Sequence, residues 1–139
     1  MQRDGTILKR RLLLWGTVIV LVHYGVVIWH VVLLVKVQPG FPRIGMLLLI
    51  LINLLPLAGL IVFAKGFPKL AASMIVIPLG IAMVIGSYTH FLSAGSDNVL
   101  RMPASDLTLP FQISAMLLTL LEALGCWVGF RMLVFAPDK

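Results

Sequence analysis

Three polar side chains interrupt long apolar runs: His23, Asn53 and Glu122. A carboxyl group and an imidazole can exchange a proton, and a carboxamide can hold either by hydrogen bonds. Each of the three lies near the middle of its run, so helices of similar length would bring them to one depth. Placing an ionised group there costs about 2.5–3.5 kcal/mol on insertion scales, and an intramembrane ionisable residue is by default a functional hypothesis. We therefore read Glu122, His23 and Asn53 as a buried polar site for a proton or a ligand. The structural alternative is a protonated Glu122 hydrogen-bonded to Asn53 or His23, holding helices together. A third reading is contact between Glu122 and a separate subunit. His30 and His90 are the only candidates for a metal, as two imidazoles near one end of their runs. No HxxxH, CxxCH or cysteine-rich spacing accompanies them, so the cofactor stays unknown: haem or a metal ion has only these two ligands to use.

The elements that must position these groups follow from composition. Of the 139 residues, 60% are hydrophobic and 12% charged. The apolar runs approach the length of about 20 residues that a spanning helix needs. They are continuous rather than alternating, and backbone amides in lipid must be satisfied within the segment, so helices are expected and barrel strands are not. Four spans are predicted, at about 12–35, 44–64, 70–91 and 111–135, forming one all-α transmembrane four-helix bundle as a single domain, 1–139. The apolar stretch after MQRDGTILKRR has no small-x-small cleavage site, so we expect it to be a retained first span.

The joints are short at KVQPGFPR (36–43) and KGFPK (65–69) and long at 93–110. In the long joint, Asp97, Asn98 and Asp106 suit turns and caps, and the segment is either a functional loop or a solvated link. Thr108 is the expected N-cap of the last span, with Pro110 in its first turn.

Periodicity assigns faces. Ala115, Thr119, Glu122, Cys126 and Gly129 form one stripe on the last span. Gly16, His23 and His30 share a face of the first, and Ser73, Gly80 and Ser87 one of the third. Small and polar stripes mark helix seams, so all three are expected to point inward, and Gly125 and Gly129 make a GxxxG packing motif. Pro56 and Pro78 are expected to kink spans 2 and 3 near the polar depth.

The net charge of +6 is not a nucleic-acid signature. The basic residues flank apolar runs, where they meet headgroups. Arg3, Lys9, Arg10, Arg11, Lys65, Lys69, Arg131 and Lys139 fall on one side, against Lys36, Arg43 and Arg101 on the other. That bias predicts cytoplasmic termini and an external long loop, in a bacterial inner membrane. Trp15, Trp29 and Tyr88 suit the interfacial belt. The single cysteine, Cys126, excludes an intramolecular disulfide. Phosphate-binding, nucleophile-elbow, zinc-protease, CxxC and dinucleotide motifs are all missing, so the chain is read as non-enzymatic.

The four-span size and the LEALGCWVGFR segment (121–131) resemble small bacterial four-span families such as the DoxX-like proteins, and no function is carried over. The favoured expectation is an accessory subunit or self-associating bundle of a membrane complex, whose partners are the bilayer, other membrane subunits or copies of itself. The alternatives are a small transporter or proton-coupled carrier using Glu122, His23 and Asn53, and a haem- or metal-binding redox subunit using His30 and His90.

Overall fold

A computed structural model describes residues 2–38, 40, 43–95 and 98–134, with side chains from residue 6 onward and, in the second helix, from residue 44. Asp97, Phe135 and Lys139, and the side chains of Arg3 and Arg43, fall outside this set. The protein is all-α. Helix α1 spans Gln2–Val37, α2 Arg43–Ala64, α3 Pro68–Ser87 and α4 Thr108–Val134, with a π-helical turn at Tyr88–Leu92 continuing α3. All four are long and apolar enough to cross a membrane, over Thr6–Val37, Ile44–Ala64, Pro68–Leu92 and Thr108–Val134. The chain is an integral membrane protein. Helix α1 begins upstream of the apolar run, because Arg10 and Arg11 propagate a helix well and can stay solvated at the headgroup level while it continues.

The helices run up and down, and neighbours in sequence are neighbours in space, with α4 closing against α1. Helices α2 and α4 therefore stand on one diagonal and α1 and α3 on the other. We call the end carrying the 38–42 and 93–107 connections the loop end, and the opposite end the termini end.

The tight joint at 65–67 has a local cause. Gly66 takes φ 91°, the left-handed conformation that glycine adopts at little cost. Its N–H donates to the Phe63 carbonyl at 3.0 Å, and the Phe67 N–H to that of Val62 at 3.2 Å. This is a Schellman closure of α2, and Pro68 then opens α3 in the first turn, where a missing N–H is harmless.

Packing differs between the two ends. At the termini end all four helices contribute to one apolar cluster: Leu12 and Val20, Leu60 and Phe63, Ala71, Ile75 and Leu79, Val128 and Met132. At the loop end the cluster is Leu33, Leu34, Val99, Phe111 and Ala115, with no member from α2. The buried residues of α2 begin only at Asn53, and Ile44, Leu47, Leu48, Leu49, Leu51 and Ile52 are all exposed to the bilayer side. Helix α2 thus contributes buried residues to the cluster at the termini end and none to that at the loop end.

Candidate functional site

The faces of α1 and α4 place the polar pair. Helix α1 buries Leu12, Gly16, Val20, His23, Val27 and His30. Helix α4 buries Phe111, Ser114, Ala115, Leu118, Glu122, Gly125, Val128, Gly129 and Met132, a seam with spacings of 3 and 4. Thr119 and Cys126 border that seam, half-buried. Where the seams meet, His23 Nε2 lies 3.6 Å from Glu122 Oε1, with the side chains 1% and 7% exposed. The distance is longer than a hydrogen bond, and His23 Nε2 has no hydrogen-bond partner among the described residues. A buried polar nitrogen without a partner is costly, and a small rotation of either side chain closes the gap. The pair lies between the two apolar clusters.

Asn53 is buried at 6% exposure. Its Nδ2 donates to the Leu49 carbonyl of its own helix at 2.7 Å. Helix α2 stands diagonal to α4, so equal depth does not bring Asn53 to Glu122. Cys126, one turn from Glu122, directs its thiol towards the Val76 carbonyl at 3.8 Å.

The third expected stripe is corrected: Ser73 is exposed, and its hydroxyl bonds back to the Lys69 carbonyl at 3.1 Å. The buried face of α3 is Ala71, Ala72, Ile75, Pro78 and Leu79. A serine that satisfies itself on its own helix can face lipid, so its polarity does not mark a seam. Gly125 and Gly129 receive α3: a Cβ on Gly129 would lie 2.6 Å from Val76 Cγ2, and one on Gly125 would overlap Leu79. The GxxxG surface is occupied inside the chain.

A second polar group forms at the loop end. His30 Nδ1 lies 2.8 Å from Ser114 Oγ, and that hydroxyl donates to the Phe111 carbonyl at 2.8 Å. The His30 and His90 rings meet edge to face with centroids 4.8 Å apart, and Phe111 lies 4.7 Å from His30. Two axial haem ligands stand on opposite sides of a macrocycle, and rings in direct contact leave no slot for one. Among the described residues no third histidine, cysteine or carboxylate joins them to hold a metal ion.

Asn98 and Val99 of the long connection fold onto this group, while residues 103–106 are exposed. The Val99 N–H donates to the His90 carbonyl at 2.9 Å, and Gln112 Nε2 donates to the Val99 carbonyl at 2.7 Å. Val99 is 3% exposed, and the Asn98 carboxamide accepts from the Leu100 N–H at 2.9 Å. Thr108 does not cap α4. Its hydroxyl donates to the Pro103 carbonyl and accepts from the Ser105 N–H, so it ties the preceding turn. Sequence reasoning missed Ser114, Phe111 and Gln112. Only the two i,i+4 steps from Ser114 through Leu118 to Glu122 could have exposed Ser114, because a lone serine near a helix start reads as a surface residue.

No protein-family model, curated protein or solved structure matches this chain.

Proposed function

We propose that this chain is a small proton-coupled membrane carrier whose proton-binding element is the His23–Glu122 pair. One observation carries the reading: a carboxyl and an imidazole from adjacent helices, both buried at mid-span, 3.6 Å apart, with the imidazole nitrogen otherwise unpartnered. With one proton between them the pair has no net charge, as a protonated Glu122 beside neutral His23 or as an ion pair. Losing that proton leaves a net negative site in a low-dielectric interior, where a cation or a returning proton is strongly favoured. Such a site can link proton movement to another event.

The test is proton binding by the purified chain in lipid. The protonated-carboxyl infrared band of Glu122 should titrate with pH and vanish in Glu122→Gln, while helix content and thermal stability persist. If Glu122→Gln takes up and releases the same number of protons as the parent, the pair is not the proton site.

A separate observation favours a second reading, an accessory subunit of a membrane complex. The loop-end half of α2 has no buried residue from Ile44 to Ile52, which suits a partner helix laid against it. A photocrosslinker at Leu48 should then join the chain to a second membrane protein, while one at Leu120 on α4 should reach lipid only. The self-association argument from Gly125 and Gly129 loses its support, since α3 fills that surface.

A further inference from the structure

We infer that residues 98–100 of the long connection form an acid-released latch with His30 as its sensor. The latch is docked while that imidazole is neutral and lifts when the ring takes up a second proton. The inference concerns the loop-end group alone and is independent of the proton-carrier reading.

The latch turns on one residue. The Val99 N–H donates to the His90 carbonyl at 2.9 Å, and the Val99 carbonyl accepts from Gln112 Nε2 at 2.7 Å, so α3 and α4 both grip it. Its side chain packs with Leu33, Leu34, Phe111 and Ala115. The Asn98 bonds stay local: its Nδ2 donates to the Ser93 carbonyl at 2.5 Å, and its Oδ1 accepts from the Leu100 N–H at 2.9 Å. On the far side Leu100 and Arg101 are exposed. Two backbone bonds and one apolar side chain can detach without unfolding a helix, and such weakly anchored segments open locally.

His30 lies buried in the same group, at 5% exposure. The Ser114 hydroxyl gives its hydrogen to the Phe111 carbonyl, so it accepts from His30 Nδ1–H, and a neutral ring satisfies that bond. A second proton would go to Nε2 and make an imidazolium among the Phe111 ring, the His90 ring and the apolar cluster. The titratable and charged groups on the surrounding elements offer it no counter-ion. Helix α1 has Lys36, exposed; the π-turn has His90, and Tyr88, exposed; the connection has Arg101 and Asp106, both exposed. Helix α4 has none before Glu122, and α2 has none from Ile44 onward. A buried cation without a carboxylate costs far more than one in water, so the docked form excludes the second proton and the lifted, hydrated form accepts it. The sign follows from linkage. A proton bound only by the lifted form favours that form as pH falls. Below about pH 6.5, where a hydrated histidine charges, the docked-to-lifted ratio drops up to tenfold per pH unit, and above it the ratio is constant.

The test is amide exchange of the full chain in lipid nanodiscs, read at Val99 and Leu100 from about pH 8 to pH 5 and divided by the intrinsic exchange rate at each pH. Opening should be flat above about pH 7 and rise at least tenfold by about pH 5, with no rise at Val20 and Val128 in the core. His30→Gln, which keeps a donor for Ser114 but cannot charge, should abolish the rise. If that variant folds poorly, His30→Met combined with Ser114→Ala removes both members of the buried bond and should give the same flat profile. Gln112→Ala should raise opening at every pH and keep the slope. A flat profile in the parent chain, or an equal rise at Val20 and Val128, overturns the latch. A slope that survives both His30 variants, or that disappears instead in His90→Gln or Asp97→Asn, overturns His30 as the sensor.

Discussion

At the scale of the residue, Glu122 decides between chemistry and packing. Glu122→Gln preserves shape and hydrogen-bonding capacity, so unfolding stability in detergent should stay within about 1 kcal/mol of the parent. Glu122→Leu fills the same volume but leaves His23 Nε2 facing hydrocarbon, and interhelical polar contacts in membranes contribute about 1–2 kcal/mol. His23→Leu combined with Glu122→Leu removes both polar groups, and should recover most of that loss. A double-mutant cycle in chemical denaturation reads the coupling. Additive losses would mean that the two side chains do not interact. The pair was legible in the sequence because both residues fall at mid-span on seams marked by small neighbours. Asn53 is buried as well, and its carboxamide donates to the Leu49 carbonyl of its own helix. Depth is fixed by helix rise, but which corner a helix occupies depends on how the bundle closes, and α4 closing on α1 puts α2 opposite.

At the scale of the element, the α3–α4 seam shows what close approach requires. Gly125 and Gly129 both sit against α3, yet their neighbours differ. A Cβ at position 125 would meet the tip of Leu79, which can turn aside; one at 129 would meet Val76 Cγ2 and Ile75 Cγ2 on stiff β-branched side chains. Replacing glycine by alanine in a helix gains about 1 kcal/mol of propensity. Gly125→Ala should therefore be neutral or stabilising, and Gly129→Ala destabilising by about 1–3 kcal/mol as the seam overpacks. Thermal unfolding of the two single variants reads the order, and the reverse order would mean that the seam yields at Val76 rather than at Leu79. The four spans and their tight joints were legible because lipid forces each apolar run to satisfy its own backbone. The inward face of α3 was not, because Ser73 bonds its own helix and alanines carry the real seam. The docked connection was equally hidden. Its anchors are backbone groups of His90 and Val99, which composition cannot reveal. Gln112→Ala should free the Val99 carbonyl, and amide exchange at Val99 and Leu100 should rise without change in the exchange of α1 and α4.

At the scale of the whole molecule, the asymmetry of the bundle acquires a biological direction only through orientation. Eight of the eleven basic residues fall at the termini end and three at the loop end. On the positive-inside bias the expected orientation has the termini in the cytoplasm and the histidine-bearing end outside. A reporter active only in the cytoplasm should work when fused after Lys139 and be silent when inserted at Ala104 in the long connection. Charge removal supplies the stronger check. Lys9, Arg10 and Arg11 are exposed at the headgroup end of α1, and of the three Lys9 lies 5.9 Å from the Phe63 ring centroid, so neutralising all three removes most of the bias and at most that one contact with the core. Reporter activity at Ala104 should then appear in part of the population. If the parent chain itself gives activity at Ala104 and none after Lys139, the orientation is opposite.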